Sequence, residues 1–400
     1  MSKTKFKISG VGCALVDYLY KPVDFSASSF LRYKSASKGD GGLLPGILVF
    51  KDELEKFSGE DYFGIRKVLT ENRPPVALNI GGPCIVALIH AAQMLTGTVA
   101  EVYFYGSKGN DEGADFIDDG LRQTPLKIGK YKRTGQYTPF TDVLSDPAYD
   151  HGNGERVFIN NIGSAWDLYP EDLDDDFFNS DITVFGATAL VPHIHESLLA
   201  LLKRSKENGA FTIVTTVYDS LNEKKNADKP WPMGESVDTY RYIDLLVMDM
   251  EEALRLSGQP GIEQAFSFFK SAGAGAVVVT HGARPTHYYA GSPLFVPAEG
   301  TMPVSELVRE KLSEQPGLAG DTTGCGDNFA GGVISSVACQ LIEKSTGTIC
   351  IKEAIAFGTV SGGYACFYHG GAFFEQYAGE KKELILPYYG SYKEQLNGKN

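Results

Sequence analysis

Gly320-Asp321-Thr322-Thr323-Gly324-Cys325-Gly326-Asp327-Asn328-Phe329-Ala330-Gly331-Gly332 runs straight into the apolar segment Val333–Ile342. The glycines flanking Cys325 permit a sharp bend, and the apolar run predicts a helix behind it. A helix N-terminus leaves N–H groups without partners and carries partial positive charge, so the bend predicts an anion site. Asp327 falls in or beside the first helical turn. A carboxylate there can take a proton from a hydroxyl held near the same anion. That combination suits phosphoryl transfer to an alcohol. Taken alone, Asp327 or Thr323 is better explained as a helix cap worth about 1 kcal/mol. The paired glycines and the second acid, Asp321, argue for more.

Four hundred residues can bury a large core, as one α/β domain with an appendage or as two domains. The formal net charge of −13 argues against nucleic acid or an anionic membrane as main partner. It leaves room for a small anionic ligand. The polar start Met1–Gly10 has no leader-like apolar core, and no segment is long and apolar enough to span a bilayer. Six scattered cysteines without a C-x-x-C pair predict reduced thiols, a cytoplasmic location and no structural zinc.

Strand-like and helix-like segments alternate from residue 6 onward. Lys5–Tyr20 reads as a first strand and turn, Cys84–Leu95 as an apolar helix, Glu101–Gly109 as a buried strand. Asp181–Ala187, Ala210–Thr216 and Tyr242–Asp249 read as further strands, with helices ending at Gly209 and Gly258. This order predicts an α/β fold with a mainly parallel sheet covered on both faces. Two regions break it, 21–75 and 127–161, and are expected to form a small β-rich lid. The core is then 1–20, 76–126 and 162–385. Residues 298–317 read as a surface insertion, and 386–400 as a polar, peripheral tail.

Asp321-Thr322-Thr323-Gly324-Cys325-Gly326-Asp327-Asn328-Phe329 resembles the C-terminal signature D-T-x-G-A-G-D-x-F of the PfkB carbohydrate kinases, the ribokinase and adenosine kinase group. Only the alanine differs, as Cys325. The start Gly10–Tyr20, the Gly81-Gly82 pair, Gly154–Leu173 and Val277–Tyr289 follow the family's order. The resemblance implies a ribokinase-like three-layer core that phosphorylates a hydroxyl of a small sugar, with ATP and Mg2+. It implies Asp327 as base, with amides at Gly324, Cys325 and Gly326 as anion hole. It places Asp17, Gly81 and Gly82 at the acceptor, Thr280 and Gly282 at the nucleotide, and Glu252 with Asp249 at the metal. A monovalent cation near Asp321 and Thr323 is a further implication; separately, exposed strand edges of the lid seek pairing and suggest a homodimer.

There are departures from the family pattern. Asp249 stands where the family's N-x-x-E motif has asparagine, and Val86 stands where an asparagine reaches the sugar. Val214–Ser220 replaces an acidic, asparagine-containing strand end. These keep two rival readings open: a nucleoside acceptor such as adenosine, suggested by the long segment 30–57, and a ligand-binding relative with weak catalysis. Other signals carry less. Gly10-Val11-Gly12 lacks the third glycine of a dinucleotide fingerprint. Cys325 as a nucleophile has no histidine marked as partner. His193 and His195 read as a solvated loop.

Overall fold

The computed structural model describes residues 5–37, 39–152, 154–226, 228–315, 322–343 and 348–398. In chain order its strands are β1 (Phe6–Val11), β2 (Leu15–Tyr20), β3 (Leu48–Phe50), β4 (Ala77–Gly81), β5 (Ala100–Lys108), β6 (Lys127–Arg133) and β7 (Phe140–Asp146). They continue as β8 (Glu155–Asn161), β9 (Ile182–Gly186), β10 (Phe211–Thr215), β11 (Leu245–Asp249), β12 (Ala276–His281), β13 (Arg284–Ala290) and β14 (Ala298–Met302).

Among the described residues these strands form two sheets. The larger has nine strands, in the order β14-β13-β12-β11-β10-β9-β1-β5-β6. From β12 to β6 all neighbours are parallel, and β13 and β14 add an antiparallel edge. Parallel strands covered on both faces need apolar side chains on both, and β11 illustrates it. Leu245 and Val247 join one core layer, while Leu246 and Met248 join the other. The first layer contains the helices Pro83–Met94, Cys325–Glu343 and Ile351–Ala365; the second contains Leu198–Glu207, Met250–Ser257 and Ile262–Ala272. β5 lies on one side of β1 and β9 on the other, so the strand order reverses at β1. Crevices at such reversals, beyond the carboxyl ends of the strands, are where ligands settle in open α/β sheets.

The smaller sheet has the order β3-β8-β7-β2-β4. The chain crosses between the two sheets four times, and two of the links lie next to β1 and β4. Gly12, Cys13 and Ala14 join β1 to β2, and β4 runs through Gly82 into the helix Pro83–Met94. Helices Lys51–Ser58 and Tyr62–Leu69 cover one of its faces, where Tyr62 donates its phenol to buried Asp142.

Several expectations are corrected here. Residues 127–133 pair with β5 and extend the large sheet instead of joining the lid. Their neighbour is the long buried strand β5, and Tyr131 packs into the core beneath it. The small sheet takes β2 and β4 from segments expected to be core, because the two links above turn the chain away from β1. Residues 21–75 carry three short helices and give the sheet only β3. The tail is not peripheral: the helix Glu380–Asn397 buries Ile385 and Tyr392 fully. The exposed side of this helix carries charges that give the segment its polar composition. His195 is no loop residue either. It is buried, with Nδ1 at 2.9 Å from the Thr188 hydroxyl and Nε2 at 3.2 Å from the Pro232 carbonyl.

Candidate active site

The helix Cys325–Glu343 starts in the crevice, behind the bend at Gly324. There φ is +75°, and a β-carbon would lie 2.4 Å from Gly371 Cα. Only glycine meets both demands, because a side chain would strain the backbone and strike another backbone. The Gly324 carbonyl accepts the Asn328 N–H at 2.8 Å, the first bond of the helix. Helical geometry then leaves the N–H groups of Gly326 and Asp327 with no intrahelical acceptor. Asp327 sits in this first turn. It keeps some contact with solvent, yet protein surrounds its carboxyl closely, and the loss of water pushes its pKa up to about 7. Cys325 turns its thiol towards Cys366, at 3.4 Å between sulfurs. Asp321 lies outside the described residues.

A second group lies on the small sheet. Asp17 is opposite Asn79 in β4 and opposite Thr141 in β7; Thr141 is opposite Asn160 in β8, and Asn160 is opposite Phe50 in β3. Residues directly opposite share a face, so Asn79, Asp17, Thr141, Asn160 and Phe50 form one row across the sheet. Gly81 underlies it: a β-carbon there would lie 2.2 Å from Asp17 Oδ2. Gly82 turns the chain at φ +103°, so that Pro83 can open the next helix. Asn160 is 5% exposed and donates Nδ2 to the Thr141 hydroxyl at 2.9 Å. Its Oδ1 is buried with no protein partner among the described residues. A buried amide oxygen without a donor is costly unless a ligand or water supplies one.

The row reaches the bend through the loop that contains Gly370 and Gly371. A β-carbon on Gly370 would lie 2.8 Å from Asn79 Cγ. Val86 packs on Gly371, its methyls 3.0 Å from where a β-carbon would be. So the apolar residue at Val86 faces this loop, while Asn79 brings an amide next to Asp17.

A third group stands at the carboxyl ends of β11 and β12. Asp249 accepts the Glu252 N–H at 2.8 Å, and Glu252 accepts the Asp249 N–H at 3.0 Å, a reciprocal cap on the helix Met250–Ser257. Thr216, in the stretch that departs from the family pattern, donates its hydroxyl to Glu252 at 2.6 Å. Burial raises the Glu252 pKa, and the negative charges of Asp249 and Asp327 raise it further. Thr280 is paired with Asp249 across the strands, and Gly282 forms the turn after β12 with open space beside it. Among the described residues no group of three His, Cys, Asp or Glu is arranged to hold a metal. The hard carboxylate oxygens of Glu252 and Asp249 suit Mg2+ carried with water and phosphate.

Among the described residues, Gly324–Asp327, Asp17 with Gly81 and Gly82, and Asp249 with Glu252, Thr280 and Gly282 form three groups; the Gly370–Gly371 loop joins the first two, and the charge of Asp327 is felt at Glu252. Sequence reading missed Asn79, Thr141, Asn160, Thr216 and Asn328. Their only signal was polarity inside otherwise apolar segments. A surface cavity of about 420 Å³ lined by Lys5, Thr98 and Lys127 lies at the opposite ends of β1, β5 and β6 and has no part in this arrangement.

Solved structures with the same architecture include adenosine kinase from Schistosoma mansoni in complex with 2-fluoroadenosine. It has a TM-score of 0.67 at 15% identity, covering 94% of this chain and 98% of that one. Ribokinase from Thermotoga maritima gives 0.60 at 18% identity, covering 96% and 99%. A putative ribokinase II from E. coli, in complex with ATP and Mg2+, gives 0.63 at 15%, covering 96% and 99%. At these identities the likeness establishes the ribokinase fold. The pfkB family carbohydrate kinase model matches residues 76–376. With most of the chain matched by that family model, this protein belongs to the PfkB family of carbohydrate kinases.

Proposed function

We propose that the protein transfers the γ-phosphoryl group of ATP to a hydroxyl of a small polyol, a sugar or a nucleoside. The observation that carries this reading is the placement of Asp327. Its carboxyl lies in the first turn of a helix, beside N–H groups suited to an anion. The same bend touches, through Gly370 and Gly371, the wall that holds Asp17.

In this reading Asp17 and Asn79 bind acceptor hydroxyls and point one of them at Asp327. Asp327 takes that hydroxyl's proton as the oxygen attacks phosphorus. The bond from phosphorus to the ADP oxygen breaks, and ADP leaves. The amides of Gly326 and Asp327 meet the charge on the migrating group, which is where fixed donors help most, while the Cys325 amide, expected to join them, donates to the Thr322 carbonyl at 3.3 Å. Thr280 and Gly282 border the nucleotide. Mg2+ would be held by Glu252 and Asp249 through water, and when bound it screens the phosphate charges. The small sheet excludes water from the acceptor, which limits hydrolysis of ATP. Division into a core and a lid follows the two sheets.

A nucleoside acceptor is the second reading, and Phe50 favours it. The polar row from Asn79 to Asn160 ends at this ring, where a base can stack beyond a ribose. A monovalent cation near Thr323 and Asp321 is part of the proposal, tested by potassium titration of turnover. So is a homodimer through the β4 edge, where Val76 and Leu78 are exposed. No described helix is long and apolar enough to cross a membrane.

The deciding experiment is a panel of free sugars, polyols and nucleosides with ATP and Mg2+, following ADP and phosphorylated product together. Matched release of both with one acceptor class supports the reading. Absence of phosphorylated product across the panel defeats it in favour of a ligand-binding protein.

A further inference from the structure

The helix Glu380–Asn397 sends one lysine into the core, directly behind the bend at Gly324. Lys381 is 1% exposed. Its ammonium donates to Asn328 Oδ1 at 2.7 Å and to the Tyr368 hydroxyl at 3.2 Å. Neither hydrogen-bond partner is charged; the Glu375 carboxylate acts on the ammonium from further off, and the Tyr368 and Phe373 rings lie 5.4 and 5.6 Å from it. Burial draws the Lys381 pKa down to about 7, so keeping this group costs stability. An apolar side chain of the same length would fill the space without that cost. A purely architectural account therefore leaves the lysine unexplained.

Asn328 shows what the charge accomplishes. Its side chain is fully buried and uses all its hydrogen-bonding capacity. Nδ2 donates to the Gly324 carbonyl at 2.8 Å and to the Gly371 carbonyl at 2.9 Å. Oδ1 accepts from Tyr368 at 3.0 Å and from Lys381. An ammonium can only donate, so it fixes which end of the amide faces it. Reversing the amide would turn its oxygen onto two carbonyl oxygens. The correctly turned amide ties the bend to the Gly370–Gly371 loop, and Gly370 abuts Asn79 opposite Asp17.

We propose that Lys381 is a positioning residue: acting through Asn328, its ammonium holds the Gly324 bend in register with the Gly370–Gly371 loop. It thereby sets the distance between the phosphoryl-binding amides and the acceptor wall. This inference rests on the kinase reading above and adds a residue that the family signature does not contain.

The test uses the full chain with Lys381→Met, which keeps volume and removes charge. Misregister of reacting groups by about 1 Å costs on the order of 10²-fold, so kcat is expected to fall at least roughly tenfold. KM for ATP and for the acceptor should change little, and the melting temperature should hold or rise. A lysine with only a structural role gives the reverse: a lower melting temperature with kcat per folded molecule unchanged. Wild-type kcat in Lys381→Met overturns the proposal. Should that variant not fold, Lys381→Ala with added propylammonium replaces it. Saturable recovery of turnover by the amine, and not by propanol, supports the charge; equal recovery by both defeats it. If the wild type phosphorylates nothing, the kinase reading fails separately. Binding of inorganic phosphate then decides: roughly tenfold weaker binding by Lys381→Met supports the role, and equal binding rejects it.

Discussion

Gly81 lies directly beneath the carboxylate of Asp17, so close that a β-carbon would come within 2.2 Å of Oδ2. The two residues belong to adjacent antiparallel strands, and the contact fixes where the carboxylate can point. Any side chain at residue 81 must push Asp17 out of the row it shares with Asn79 and Thr141.

Gly81→Ala is therefore expected to damage acceptor recognition selectively. The acceptor KM should rise at least tenfold, roughly the value of one hydrogen bond to a charged group. The KM for ATP should stay near wild type. Steady-state kinetics with each substrate varied in turn decides this. Equal effects on both would remove Asp17 from the acceptor site.

Asp327→Asn keeps the shape and removes the proposed base. A positioned base contributes roughly 10²–10⁴-fold, so kcat should fall by that factor while ATP still binds by calorimetry. In the wild type the carboxyl must be ionised to act, and burial sets its pKa at about 7. The rate should climb with pH and level off above about 7. Stability has the opposite sign. A folded-state pKa above the usual carboxyl value of about 4 means that the folded form binds the proton more tightly. This contribution is full below about pH 4 and is lost as pH rises through about 7. Melting curves of Asp327→Asn should lack that loss.

Gly324→Ala faces both a positive φ and a clash with the Gly371 backbone. The conformational strain alone costs about 1 kcal/mol or more, and the clash adds to it. Expected results are a melting temperature lower by several degrees and turnover near background. Alanine at Cys325 is the control: the thiol's contact is with Cys366, so Cys325→Ala should retain most activity.

Glu252→Gln should raise the Mg2+ concentration needed for half-maximal rate several-fold, since an amide binds hard cations less well than a carboxylate. Its bonds to Thr216 and Asp249 can persist, so the melting temperature should hold. An unchanged Mg2+ titration would assign Glu252 to capping alone.

Removing residues 386–400 tests the C-terminal helix. The deletion takes away Tyr392, which is fully buried and donates its phenol to the Pro303 carbonyl, and Tyr389, stacked on Phe357 at 4.0 Å. Burial of one such ring is worth about 1.5–3 kcal/mol. The shortened chain should melt many degrees lower or fail to fold.

Local chemistry made much of this legible in advance. Gly324 and Asp327 stand together in one bend, and the helix ends at Gly209 and Gly258 are marked by glycine. Lys127–Arg133 alternates like a lid strand, yet it lies at the edge of the large sheet, because pairing partners are chosen by packing and not by pattern. Polar residues on a strand also look alike until the partner strand is known. Asn160 could face solvent, core or ligand, and only its pairing with Thr141 places it in the row with Asp17.

The sequence by itself determined the glycine bend, its acid and the alternation of strands and helices. Each depends on backbone freedom, helix ends or periodicity within a few residues. Tertiary structure alone decided which polar side chains share a face with Asp17 and which lysine stands behind Asn328. Cross-strand register and the burial of a charge arise from contacts between segments far apart in the chain, 53 residues apart for Lys381 and Asn328.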